Sequence, residues 1–299
     1  MSYAIKTEEL SKRFGRVQAL NGLNLKVPEG AIYALVGPNG AGKTTTLKLL
    51  MNVLRPTSGN CEVLGVASEK LRYCDLAVIG YVSENQDMPD WMTGRYLLSY
   101  LRPFYPTWDD GVAYETARDL ALPLDQKIKT LSRGARMKLA VVSSLTYRPR
   151  LIVLDEPFAG LDSVVRDQLV QTLLQRVEGA TVVISSHDLH DLESFVSHVG
   201  YLDRGCLCFS EEISFLVERF REVEVTLGAT PRMPVDWPKN WICRESSSAV
   251  VRFIETRFDS ESTPTEINRR FVGSRNVSFT PMSLRAIFTA VARSSSGTA

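Results

Sequence analysis

The sequence predicts an α/β protein built on a mixed sheet, with a helical insertion and a small α+β appendage towards its C-terminal end. Three observations predict it. Buried-strand runs alternate with helical apolar stripes between residues 31 and 184. A glycine-rich turn joins one such strand directly to one such helix. Beyond Glu212 the texture changes, and clean two-residue alternation returns. For 299 residues, a prior of about 150 residues per domain gives two domains. The division is placed at residues 1–212 and 213–299, with the helical part over about 86–140.

Taken in order, residues 3–36 read as short strands. Residues 23–27 alternate, Pro28-Glu29-Gly30 turns the chain, and residues 31–36 are nearly continuous apolar, as in a strand covered on both faces. This strand runs into Gly37-Pro38-Asn39-Gly40-Ala41-Gly42. Leu47, Leu50, Met51 and Leu54 then fall on one helix face, with Pro56 to stop the helix. From Pro89 to about Leu131 the pattern is helical, interrupted at Pro103, Pro106 and Pro123. Residues 151–154 form a central strand, Val165, Leu169, Leu173 and Val177 mark a helix, and residues 181–184 form a further buried strand. A hairpin is centred on Asp203-Arg204-Gly205. In the appendage, residues 222–227 and 249–253 read as strands, and 264–271 and 284–291 as helices.

The charge balance narrows the function classes. With 35 Lys+Arg against 34 Asp+Glu the net charge is +1, which argues against a protein that coats nucleic acid, and no nucleic-acid partner is expected. No apolar run approaches the roughly 18 residues needed to cross a bilayer. The start, MSYAIKTEEL, lacks the basic head and apolar stretch of a signal peptide. Five scattered cysteines read as thiols of a reducing compartment, so the chain is expected on the cytosolic side.

Residues 37–44 fit G-x-x-x-x-G-K-[ST] in the required context, a buried strand before and an apolar-striped helix after. Glycines let the backbone close around phosphate oxygens, and the helix N-terminus favours negative charge. Gly37, Pro38, Asn39, Gly40, Ala41, Gly42, Lys43, Thr44 and Thr45 are therefore the candidate phosphate-binding residues of an ATP site. Lys43 is expected at the β/γ-phosphates and Thr44 on Mg²⁺. Asp155 ends a buried strand, at the carboxyl edge where parallel sheets present functional groups, and is the expected Mg²⁺ carboxylate. Glu156 follows it, placed to orient or deprotonate the attacking water.

With these residues on the page, the chain resembles the ATP-binding cassette (ABC) ATPases, specifically the single-cassette subunits of membrane transporters, over about residues 3–212. The resemblance implies a P-loop NTPase cassette. Leu131-Ser132-Arg133-Gly134 looks like the family's signature, which implies that Ser132, Arg133 and Gly134 complete the nucleotide site of a second cassette. Phe14 matches the aromatic residue that stacks on adenine, Glu156 the catalytic glutamate, Leu161-Asp162 the D-loop, and His187 the switch histidine at the γ-phosphate. His190 and His198 are read as surface or packing residues on a helix, without a zinc site.

The departures from the family pattern are informative. Glu84 stands where a glutamine is usual. It is placed with Thr44 and Asp155 near Mg²⁺, and with Lys43, Glu156 and His187 in the chemistry. An ionised carboxylate only accepts hydrogen bonds, however, and adds repulsion there. Gln86 supplies an amide two residues on, given a change of register. Arg133 and Ala135 replace the usual glycine and glutamine, with Arg133 either adding positive charge near phosphate or facing solvent.

Trp91, Tyr96, Tyr100, Phe104, Tyr105 and Trp108 crowd six aromatics into 18 residues, where the chain-wide 9% gives about two. Two readings stay open, a groove for a partner helix and the packing of a small helical subdomain. The resemblance implies separate transmembrane permease subunits contacting residues 86–110, a second cassette (homodimer or close paralogue), an exporter-like assembly and a peripheral place on the cytoplasmic membrane face. Two alternatives remain, a regulatory nucleotide-binding module with weak hydrolysis and a soluble cassette protein acting on ribosomes or DNA.

Overall fold

The computed structural model describes residues 2–84, 86–189, 192–228, 234, 236–247 and 249–296, without the side chains of residues 295 and 296. Alternation at the N-terminus produces β1 (Tyr3–Phe14), with Ile5 and Leu10 fully buried. β2 (Val17–Leu23) and β3 (Lys26–Pro28) pair with it antiparallel. β4 (Ile32–Val36) leads through the glycine loop into α1 (Lys43–Leu50). β5 (Ser58–Val63) and β6 (Val66–Ala67) complete a five-stranded sheet of order β2-β1-β5-β6, with β3 also on β1.

After α2 (Tyr73–Leu76) and β7 (Ile79–Val82) comes the helical insertion, α3 (Gly94–Leu101), α4 (Asp110–Asp119) and α5 (Arg133–Leu145). β8 (Leu151–Asp155), α6 (Ser163–Arg176), β9 (Thr181–Ser186), β10 (His198–Asp203) and β11 (Cys206–Glu212) follow. They build a six-stranded sheet, order β11-β10-β4-β9-β8-β7, in which β10, β4, β9, β8 and β7 run parallel. Leu47, Leu49 and Leu50 of α1 join Leu10 and Leu23 of one sheet and Leu35, Val153 and Val183 of the other in a single core. That shared core sets α1 beside β8, where Thr44 of the helix bonds Asp155 at the strand's carboxyl end.

Two expectations are corrected. The helix after the glycine loop ends at Leu50, not near Pro56. Asn52 turns to φ +55°, and Leu54, beyond the helix, still packs on the core. His198 is not on a helix: it opens β10, where it pairs with Tyr33 of β4, because residues 198–203 carry a buried run that the parallel sheet needs. His190 lies outside the described residues.

The chain divides into two compact units, Met1–Ser210 and Glu211–Ala299. The second contains α7 (Ile213–Arg219), β12 (Arg221–Thr226), β13 (Trp241–Ser246), β14 (Val250–Glu255), α8 (Ser262–Arg270), β15 (Asn276–Pro281) and α9 (Leu284–Ser296). Its sheet is antiparallel, order β13-β14-β12-β15, so β14-α8-β15 is a split β-α-β crossover around β12, as in ferredoxin-like topologies. Trp241, buried on β13, stacks on Phe253 at 4.3 Å and on Phe271 at 6.0 Å. Its Nε1–H donates to buried Glu255 at 2.6 Å, which also accepts from Asn240 Nδ2 and the Arg257 N–H. Trp241→Phe keeps most of the stacking and deletes that donor. It is expected to destabilise the protein by about 1–3 kcal/mol in chemical denaturation, the cost of a buried acceptor losing a partner. A loss near zero would show that Asn240 and Arg257 suffice for Glu255. Among the described residues no helix is long and apolar enough to cross a membrane.

Candidate functional site

The glycine loop adopts the shape its sequence requires. Gly42, the residue before α1, sits at φ +108°, and a Cβ there would lie 2.7 Å from the Ala19 carbonyl oxygen. At Gly37 a Cβ would meet the Leu202 carbonyl oxygen at 2.1 Å. No side chain caps α1, which leaves its first N–H groups without a side-chain partner, and its first residues line an open cleft of about 360 Å³. Asn39, Gly40, Ala41, Gly42, Lys43, Thr44 and Thr45 line this cleft, together with Glu84, Glu156 and His187 from distant segments. Ala19 and Ala159 also line it. No sequence signal marks these two, since small residues carry no chemistry of their own.

Lys43 is buried and folds onto its own loop. Its Nζ donates to the Gly37 carbonyl oxygen at 2.8 Å and to that of Pro38 at 3.3 Å, and it stands 3.1 Å from Glu156 Oε1. Glu156 reaches it because its backbone takes φ +50°, a region few non-glycine residues occupy and one that clusters at functional sites. The other oxygen of Glu156 lies 2.8 Å from His187 Nδ1 and accepts the His187 N–H at 3.3 Å. Lys43, Glu156 and His187 thus form one connected chain, from a buried ammonium to a half-exposed imidazole.

Asp155, at the end of β8, is buried. Its Oδ1 accepts from Thr44 Oγ1 at 3.0 Å and from Ser185 Oγ at 2.7 Å. Ser185 belongs to β9 and stands in register beside Asp155. Its hydroxyl also accepts the Glu156 N–H at 2.9 Å. Two serines, Ser185-Ser186, closing an apolar strand run are the available signal for it. Tyr81, in the neighbouring strand, has its phenol pushed up by burial and by the charge of Asp155. Two oxygens on adjacent corners of a Mg²⁺ octahedron with bonds of about 2.1 Å stand about 3.0 Å apart. The Thr44–Asp155 separation fits that edge. Among the described residues no cluster of three or more His, Cys, Asp or Glu is arranged for a metal.

The remaining candidates lie outside the cleft. Ser132 is the residue before α5, and its Oγ accepts the Ala135 N–H at 3.2 Å. Gly134 faces Val165 of α6 and leaves room for little else, a Cβ there meeting Val165 at 3.2 Å. Asp162 caps α6, accepting the Val165 N–H at 2.9 Å. Phe14 is exposed at the end of β1 under Lys12, whose ammonium lies 5.0 Å from the ring centroid, and it does not line the cleft. Gln86 is not among the cleft residues either. It lines a separate groove with Arg136 and Met137, and its buried Oε1 has no hydrogen-bond partner among the described residues. The two departures meet: Arg133 Nη2 donates to Glu84 Oε1 at 3.1 Å, and the guanidinium lies against Gly160. Each charge that breaks the pattern is therefore balanced by the other.

Comparisons with known proteins identify the family. The model of the family described as ABC transporter matches residues 20–159. The chain is 31% identical over 233 residues to the ABC transporter ATP-binding protein YtrB of Bacillus subtilis (strain 168), covering 77% of this chain and 80% of that one. It is 30% identical over 278 residues to the bacitracin transport ATP-binding protein BcrA of Enterococcus faecalis, covering 91% and 89%. In fold it is similar to a dimeric ATP-binding cassette in a post-hydrolysis state bound to ADP and Pi, with TM-score 0.62, 24% identity, and coverage of 70% of this chain and 98% of that one. A cleft of this construction, on a chain that matches such relatives over most of their length, places it in one family: the chain belongs to the ATP-binding proteins of ABC transporters and is an ATPase of that family.

Proposed function

We propose that this ATPase drives an exporter-type transporter as one of two paired cassettes, seated on separate transmembrane subunits at the cytoplasmic membrane face. The observation that carries the reading is the convergence of the phosphate loop, Glu156 and His187 on one cleft, with Asp155 buried behind it and bonded to Thr44. The name of the relative in Enterococcus faecalis, a bacitracin transport ATP-binding protein, supports a transport role.

In this reading the N–H groups from Gly40 to Thr45 bind the phosphates of ATP, while Gly37 and Pro38 shape the loop and Asn39 lines its mouth. Lys43 exchanges Glu156 for the β- and γ-phosphates. Glu156, released from the ammonium, accepts a proton from the attacking water. His187 holds Glu156 through Nδ1 and offers its second ring nitrogen to the γ-phosphate. Thr44 and Asp155 would hold Mg²⁺ through oxygen, with Glu84 as a further carboxylate, and the ion would supply positive charge against the phosphates. Ser132, Arg133 and Gly134 act on the nucleotide of the other cassette, Asp162 shapes the contact between cassettes, and Phe14 stacks on adenine. Differential binding of ATP to the closed pair shifts the transporter between states.

The helical insertion supplies the surface for the membrane partner. Of its six aromatics, Tyr105 packs inward, stacked on Tyr147 at 3.9 Å. Trp91, Tyr96, Tyr100 and Phe104 remain between 43% and 65% exposed, in two ring pairs at 5.7 and 5.6 Å. Core packing does not account for rings left in water, and a partner helix does. Affinity capture of the tagged chain from detergent-solubilised membranes of its host tests this. Recovery with a chain of about six apolar spans is expected. Recovery only from soluble or ribosomal fractions would overturn the proposal.

A further inference from the structure

We infer that Ser185 is a positioning residue that sets the metal carboxylate and the water-activating carboxylate with a single hydroxyl. The inference rests on the proposed roles of Asp155 and Glu156. Ser185 is fully buried, in register beside Asp155 across the β8–β9 pair. Its Oγ–H donates to Asp155 Oδ1 at 2.7 Å, and the same oxygen accepts the Glu156 N–H at 2.9 Å. A hydroxyl has one proton, so the donation to Asp155 uses it and leaves the lone pairs for Glu156. Asp155 Oδ1 then collects two donors, from Ser185 and from Thr44 on α1. This turns the carboxylate towards the start of the helix that carries the phosphate loop. At the other end, the Ser185 lone pair holds the N–H of the residue whose φ of +50° swings its side chain to Lys43 and His187.

The adjacent serine provides an internal contrast. Ser186 Oγ donates to the Asp188 carbonyl oxygen at 2.7 Å and accepts the Asp188 N–H at 3.0 Å, closing a local turn. Successive strand residues face opposite ways, so Ser185 shares a sheet face with its register partner Asp155 and Ser186 turns to the other. The partners of Ser185 lie 29 and 30 residues away, both in the site, whereas those of Ser186 lie two residues along. A hydroxyl needed only for local satisfaction has no reason to bridge the Asp155 carboxylate and the Glu156 N–H.

Ser185→Ala removes both bonds. Turnover is expected to fall about 10- to 100-fold, the usual loss when an outer-shell partner of a metal ligand is deleted. Mn²⁺ affinity of the ATP-loaded protein, read by direct titration, falls with it, while ATP affinity in EDTA stays within about twofold. Ser185→Thr, which keeps the hydroxyl, restores turnover and Mn²⁺ affinity together. If Ser185→Ala does not fold, Ser185→Cys, close in size and a weak hydrogen-bonder, is held to the same outcomes. Turnover and Mn²⁺ affinity at the wild-type level would overturn the inference, as would loss of ATP affinity in EDTA in proportion to turnover. Asp155→Asn and Glu156→Gln in the same assays separate the two readings. If both turn over like the wild type, the site reading fails. If both are impaired while Ser185→Ala is not, only the role of Ser185 fails.

Discussion

Glu156→Gln is expected to lower steady-state ATP turnover by about two to four orders of magnitude while leaving ATP binding intact, the range a positioned general base contributes. The amide has the shape of the carboxylate, so the φ +50° turn, the Ser185 bond to its N–H and the His187 contact persist. The lost property is basicity. Lys43 still has the Gly37 and Pro38 carbonyls and an amide oxygen to donate to, which holds the cost of its lost counter-ion below that of a fully broken buried pair. Phosphate release measured beside equilibrium nucleotide binding separates the two effects. A wild type that turns over no faster than the variant would remove Glu156 from the chemistry and favour a regulatory nucleotide-binding module.

Lys43→Ala is expected to fail twice, once in binding and once in stability. The ammonium and the Glu156 carboxylate are both at least nine-tenths buried and 3.1 Å apart. Removing one partner of such a pair costs about 3–5 kcal/mol, because the other charge stays buried without its counter-ion. The His187 contacts on Glu156 and the open side of the cleft hold the loss near the lower end. Binding suffers separately, since a charge-assisted hydrogen bond to phosphate is worth about 1.5–3 kcal/mol, roughly a 10- to 100-fold weaker affinity. The double variant Lys43→Ala/Glu156→Gln distinguishes the two. It should recover most of the stability in urea, with a coupling energy of about 1–3 kcal/mol, and none of the ATP affinity. Additive stability losses would show that the pair is not coupled in the folded protein.

Much of the fold was legible along the chain. Buried strands 151–154 and 181–184 and the helix marked by Val165 and Leu169 appear as β8, β9 and α6, because each pattern depends only on near neighbours. β13 and β15 escaped, since Trp241–Ser246 and Asn276–Pro281 carry few apolar positions and lie at the sheet edges. His198 opens a strand rather than lying on a helix for a related reason. A strand buried inside a parallel sheet has no alternation, and a short apolar run there does not tell helix from strand.

Within the site the division is sharper. The phosphate loop is encoded locally, since the strand, the glycines and the helix that carries Lys43 and Thr44 are contiguous. The Asp155-Glu156 pair is encoded in the same way, as two polar residues ending an apolar run. The rest depends on sheet order. Only the arrangement β4-β9-β8-β7 brings Ser185 to Asp155 across 30 residues. Only the fold of the insertion brings Arg133 to Glu84 across 49, turning two separate departures into one ion pair. Local sequence is enough to nominate the phosphate loop and the paired carboxylates, because loop geometry and strand ends follow from adjacent residues. The tertiary structure decided which side chains hold one another in place, because strand order is set by packing around a shared core and leaves no periodic trace in the chain.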